Sequence, residues 1–133
     1  MPSIRLLLAD DNPELLETLV DLLQPSHVVA GALSNGASVL QQFSTLKPDL
    51  IILDISLGDM TGFEVARRLK KQGCMAKIIF LTVHENIDFI RAAFDLDACG
   101  YVFKSRISSD LMEAIKTVCR GGRFSSADLS ATA

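Results

Sequence analysis

Five short apolar runs, each followed by a stretch of helical spacing, constrain this chain more than any other feature of it. Residues 4–9 are almost wholly apolar and bounded by polar residues, the pattern of a strand buried on both faces. Asn12 then offers a helix cap, and Pro13 suits a first helical position. Leu15, Leu16, Leu19, Leu22 and Leu23 recur on one helical face, and Pro25 ends it. The second unit is a strand over 28–33, a turn at Ser34-Asn35-Gly36 and a weaker helix over about 37–46. Lys47-Pro48-Asp49 breaks that helix and leads into a third strand, 50–53, followed by a long loop over 54–61 and a helix over 63–71 that stops near Gly73. Residues 77–81 form the fourth strand, and Ile87, Ile90, Ala93 and Phe94 mark the fourth helix. Residues 101–103 are a short fifth strand; Leu111, Ala114, Ile115 and Val118 mark the fifth helix, which Gly121-Gly122 ends. Such alternation implies a parallel sheet with helices over both faces. Few topologies remain once crossovers are right-handed, and sites in such sheets lie at the carboxyl ends of the strands.

The chain has 133 residues, the size of one domain with one core, and 49% of them are hydrophobic, enough to fill it. Residues 1–122 read as that domain; 123–133, rich in Ser and Ala and without a period, read as a linker or a cut end. A formal net charge of −3 argues against this piece gripping nucleic acid by itself. The apolar runs are too short to span a bilayer, and no leader segment is expected at the N-terminus, so the reading is cytoplasmic with no membrane partner. Cys74, Cys99 and Cys119 are odd in number and widely spaced, so reduced thiols are expected rather than a disulfide framework or a zinc site.

The polar residues at the strand ends carry the chemistry. Strand one ends in Asp10-Asp11, strand three in Asp54, strand four in Thr82 and strand five in Lys104. Taken singly, an Asp at a strand end is usually a turn former or a helix cap, and a lone Thr or Lys there is usually solvated. The joint pattern, with each polar residue directly after a separate apolar run, is hard to reach by chance. Three carboxylates repel one another unless a cation is present, and all-oxygen ligands suit Mg²⁺. With an ammonium and a hydroxyl added, the set is built to hold a phosphoryl group, and a carboxylate can itself be the nucleophile.

These residues give a resemblance to the receiver domains of two-component response regulators, in particular those of NarL/LuxR-type transcriptional regulators. It is carried by Leu8-Ala9-Asp10-Asp11-Asn12, the segment from Asp49 to Ile55, Thr61-Gly62, Phe80-Leu81-Thr82, the segment from Gly100 to Ser105, and the segment from Arg120 to Phe124. It covers roughly residues 4–121. The resemblance implies a flavodoxin-like (βα)5 α/β fold, a doubly wound five-stranded parallel sheet of order 2-1-3-4-5. It implies that Asp54 is the phosphoacceptor for a sensor histidine kinase. Asp11 would bind Mg²⁺ directly, Asp10 mainly through water, and Ser56 through its backbone carbonyl. Lys104 would pair with the phosphoryl oxygens, Thr82 would bond to one of them, and Tyr101 would turn inward as Thr82 moves.

The implied activity is regulatory rather than enzymatic beyond the domain's own phosphorylation and dephosphorylation. The fourth helix, fifth strand and fifth helix would form the responsive face and a homodimer surface. DNA would be reached only through an output domain absent from this chain; a stand-alone receiver acting by protein–protein interaction is the alternative. A haloacid-dehalogenase-like phosphatase would want an Asp where Ser56 stands, and a flavodoxin-like flavin carrier would want a phosphate loop where Asp10-Asp11-Asn12-Pro13 is acidic. Two departures from many receivers stand out: Ser105 follows Lys104 in place of Pro, leaving that peptide's geometry open, and Gly58 replaces a Pro, so a more mobile loop is expected. His84 is read as a solvated loop residue, Val83 as a shield or as packing, Phe94 as packing with Phe89 toward solvent, and Arg67-Arg68 with Lys70-Lys71 as a solvated face.

Overall fold

The computed structural model describes residues 3–127. Its elements alternate as the hydrophobic pattern requires: β1 (Arg5–Ala9), α1 (Pro13–Leu23), β2 (Val28–Leu33), α2 (Gly36–Leu46), β3 (Leu50–Leu53), α3 (Gly62–Lys71), β4 (Lys77–Thr82), α4 (Ile87–Asp95) and β5 (Gly100–Phe103). A tight helical turn, Lys104–Arg106, and a wider one, Ile107–Leu111, lead into α5 (Met112–Cys119). The sheet is parallel throughout, in the order β2-β1-β3-β4-β5-β6. The five expected strands and their order are present. The sixth, β6 (Phe124–Ser125), is an addition: it lies in the segment read as a linker or tail and pairs with β5.

The strands are apolar on both faces because both faces are covered. Leu7, Ile51, Leu53, Phe80 and Tyr101 pack toward α2, α3 and α4, while Leu6, Leu8, Ile52, Ile79, Leu81 and Val102 pack toward α1 and α5. Successive side chains point to opposite faces, so a one-residue slip would exchange the two sets. Truncating any of these buried side chains to Ala would cost roughly 2–5 kcal/mol.

Four helices start with a polar side chain that accepts from their free N–H groups. Asn12 serves α1, Asn35 α2, Thr61 α3 and Asn86 α4. These caps fix where each chain segment turns away from the carboxyl edge of the sheet, and so fix the loops that surround that edge. All peptide bonds among the described residues are trans, Lys104-Ser105 included. No helix among the described residues is long and apolar enough to cross a membrane.

Candidate functional site

Strand register brings the polar ends together. Ala9 pairs with Leu53, Leu53 with Phe80, and Thr82 with Phe103. Asp10 and Asp54 are therefore neighbours one residue past the ladder, which the Asp54 N–H continues by donating to the Ala9 carbonyl at 2.9 Å. Thr82 ends β4 on the other side of β3, and Lys104 follows β5. Of the seven positions read as functional, six are at this edge; Tyr101 lies within β5, below it.

The charges here are buried. Asp10 is 1% exposed and Asp54 3%, while Asp11 is open to solvent. One oxygen from each of the three carboxylates lies within 4.8 Å of the others. Lys104 Nζ donates to Asp54 Oδ2 at 3.1 Å and lies 2.8 Å from Asp10 Oδ2. The second contact is an ion pair off the hydrogen-bond direction, so Asp10 Oδ2 is buried without a hydrogen-bond partner. Burial pushes the Asp54 carboxyl above its ordinary range; the Ser56 N–H, donating to Oδ1 at 3.2 Å, opposes this, Asp10 adds to it, and Lys104 opposes it, with a net upward result. Burial alone would lower the Lys104 ammonium, but its two carboxylate partners outweigh that and hold it above its ordinary value.

Three carboxylates against one ammonium leave the site short of positive charge. The buried Asp10 oxygen, held only by its ion pair with the Lys104 ammonium that Asp54 also shares, is the mark of that shortage. The donor set is all oxygen, and Asp11 is open to solvent where water can complete a shell. Such residues fit a hard divalent cation that keeps several waters.

The loop after Asp54 is tied at both ends. Gly62 N–H donates to the Ile55 carbonyl at 2.7 Å, and Ser56 bridges to Thr61. Gly62 is obligatory, because a Cβ there would stand 2.3 Å from the Asp54 carbonyl oxygen. Gly58, at φ 85°, supplies the left-handed turn. Asp59 then reaches the start of α2, accepting from the Gly36 and Ala37 N–H groups at 2.9 and 3.0 Å, and these bonds hold its carboxyl below the ordinary range.

His84 is also different from its expected solvated state. Its backbone N–H donates to Thr82 Oγ1 at 3.1 Å, and its carbonyl accepts from the Tyr101 hydroxyl at 2.6 Å. Its Nε2 is 3.3 Å from Ser56 Oγ, and its ring lies against Phe89, 4.4 Å between centroids. Phe89 is accordingly half-buried, also contacting Phe63, rather than turned to solvent. Tyr101 is wholly buried and already turned inward, and burial raises its phenol. Val83 is 66% exposed, so it does not pack into the core.

The response regulator receiver domain model matches residues 6–116. The chain belongs to this family. Among curated relatives, the receiver is 36% identical to the positive alginate biosynthesis regulatory protein of Pseudomonas aeruginosa, over 96% of this chain and 52% of that protein. It is 32% identical to the nitrate/nitrite response regulator protein NarP of Escherichia coli, over 90% of this chain and 56% of that protein. The receiver thus spans little more than half the length of these relatives. A crystal structure of a LuxR-family two-component response regulator from Aurantimonas superimposes with a TM-score of 0.89 at 27% identity, covering 97% of this chain and 94% of that one.

Reading the receiver's sequence missed Asp59, the Ser56–His84 contact and β6. Asn35-Gly36 advertises a helix start with free N–H groups, but nothing local shows that a carboxylate 23 positions later will reach them. The segment of β6 is too short to show a period.

Proposed function

We propose that this receiver is a phosphorylation-dependent switch in which Asp54 accepts a phosphoryl group from the phospho-His of a sensor histidine kinase. The observation that carries the reading is the buried Asp54 carboxylate, hydrogen-bonded to Lys104 beside two further acids. An Asp54 oxygen attacks phosphorus; the new P–O bond forms as the P–N bond breaks, and the imidazole nitrogen leaves with that electron pair and takes a proton. Mg²⁺ would be held by Asp10, chiefly through water, by Asp11 and Asp54, and by the Ser56 backbone carbonyl. When bound, it supplies positive charge that offsets the carboxylates and the transferring group.

Lys104 exchanges its bond with Asp54 for the phosphoryl oxygens. Thr82, whose oxygen accepts from His84, has its own hydroxyl proton free to donate to the phosphoryl group. His84 and Tyr101 are bonded in series to Thr82, so they follow it, and the face made by α4, β5 and α5 changes. This is a population shift biased by one modification.

The activity is confined to the domain's own phosphorylation and dephosphorylation, in the cytoplasm. Output is transcriptional, through a DNA-binding domain beyond this chain, with a homodimer forming on the α4–β5–α5 face. The receiver core comprises residues 1–122, and 123–133 lead onward from it, the first of them seated on β5. The support for a transcriptional output is that relatives of this receiver are named as regulators, among them a transcriptional activator protein of Pseudomonas putida.

Intact-mass measurement tests the chemistry. Acetyl phosphate with Mg²⁺ should add one phosphoryl group, labile to hydroxylamine, and Asp54→Asn should take up none. Equal, stable labelling of both proteins would reject Asp54 as the acceptor.

A further inference from the structure

β6 is placed where it can read the switch. The Phe124 N–H donates to the Cys99 carbonyl at 3.0 Å, and the Ser126 N–H donates to the Tyr101 carbonyl at 2.9 Å. The Phe103 N–H donates to Ser126 Oγ at 3.1 Å. Arg106 donates to Asp110 at 2.8 Å in the turn before α5 and, with a smaller contribution from the Ser126 hydroxyl, holds that carboxyl below its ordinary range. Arg123 lies over the Phe94 ring of α4, 5.6 Å from its centroid. Ala127 packs against the buried cluster that contains Tyr101 and Phe103. Residues 123–127 therefore lie along the outer edge of β5 and tie α4 to the start of α5.

We propose that the outer edge of β5 is an interaction surface whose resident partner is the chain's own segment 123–127, and that phosphorylation of Asp54 loosens this segment. The proposal rests on Asp54 being the phosphoacceptor. A partner that docks on the α4–β5–α5 face must displace the segment or build on it. The coupling is continuous through named bonds. Thr82 Oγ1 is bonded to the His84 N–H, the His84 carbonyl to the Tyr101 hydroxyl, and the Tyr101 carbonyl to the Ser126 N–H. A shift of the β5 backbone at Tyr101 displaces the acceptor on which Ser126 depends. A two-residue strand is weakly held, so a small displacement is enough to shift its occupancy. Parallel pairing also directs the segment toward the carboxyl edge of the sheet.

Amide hydrogen exchange on the whole chain, with and without Mg²⁺ and beryllofluoride, tests this. Beryllofluoride should speed exchange at Phe124 and Ser126 at least about threefold in the wild type and leave Asp54→Asn unchanged. Binding is reciprocal, so Ser126→Pro, which removes the N–H bonded to Tyr101, should tighten beryllofluoride binding about twofold or more. Arg123→Ala, which frees the segment from α4 without touching the sheet, should act in the same direction and serves if Ser126→Pro folds poorly. Unchanged or slower exchange at 124–126, with a clear response in the loops around Asp54, overturns the strap alone. No response anywhere overturns the strap together with the phosphoacceptor reading.

Discussion

The two ends of the sheet use the same residue types to opposite effect. At the amino edge Arg5 is exposed, and its guanidinium donates to the Leu46 carbonyl at 2.7 Å and the Lys47 carbonyl at 3.2 Å. Asp49 accepts from the Arg5 N–H at 2.8 Å, and Lys77 Nζ donates to the Val118 carbonyl at 2.9 Å. Each charge there tidies a loop or a helix end and keeps access to water. At the carboxyl edge Asp10 and Asp54 are buried against each other, share one lysine and leave an acceptor oxygen unbonded. The first arrangement serves the fold. The second works against it, because like charges out of water raise the energy of the native state, and a ligand or modification can relieve that cost.

The largest break in this comparison should come from Lys104→Met. It removes the one ammonium that faces both buried acids, so the response to beryllofluoride with Mg²⁺ should weaken more than about tenfold. A titration followed by exchange at Thr82 and Tyr101 measures this. Near-normal affinity would mean that Lys104 only balances the resting charges.

Asp54→Asn should do the opposite for stability. Removing the buried charge should stabilise the metal-free protein by about 1 kcal/mol or more, read as a higher urea midpoint at neutral pH. The pH dependence follows in sign. Burial holds the native carboxyl above its ordinary 3.8, so the native state binds this proton more tightly than the unfolded chain. The stability it contributes falls as pH rises from the ordinary value through the raised native one, then levels off. The advantage of Asp54→Asn should therefore be full at neutral pH and fade as pH drops through the native value toward the ordinary one. An advantage that grows on acidification would show that Asp54 is not under strain.

Asp59 sharpens the contrast, because it is an exposed acid that belongs to the carboxyl edge. Asp59→Ala frees the loop from α2, so the Ser56 carbonyl is less well placed and Mg²⁺ affinity should fall about threefold. Asp11→Ala should weaken it more, and Ser56→Ala less, since Ser56 would contribute only its backbone. Mg²⁺ titrations of the three variants rank them; loss of binding in Ser56→Ala alone would reverse the ligand roles.

The smallest effect is expected at the amino edge. Arg5→Ala should lower the melting temperature by no more than about 4 °C and leave phosphoryl uptake unchanged. A loss of uptake there would erase the distinction between the two ends.

The sequence by itself determined the layered fold, and its resemblance to receivers supplied the order of the first five strands. Each apolar run is long enough to be a strand, and each helix carries one apolar stripe, with a polar cap at the start of the first four. It also placed Asp10, Asp11, Asp54, Thr82 and Lys104 at one edge, because a parallel sheet puts every strand's carboxyl end on the same side. Only the tertiary structure decided what those residues touch. The sharing of Lys104 by Asp10 and Asp54, the reach of Asp59 to α2, the His84 relay between Thr82 and Tyr101, and the seat of Ser126 on β5 all join positions distant in the chain. Local periodicity reports which face a residue takes; a hydrogen bond across 23 or 25 positions depends on where two separate backbones arrive, and that is settled by packing.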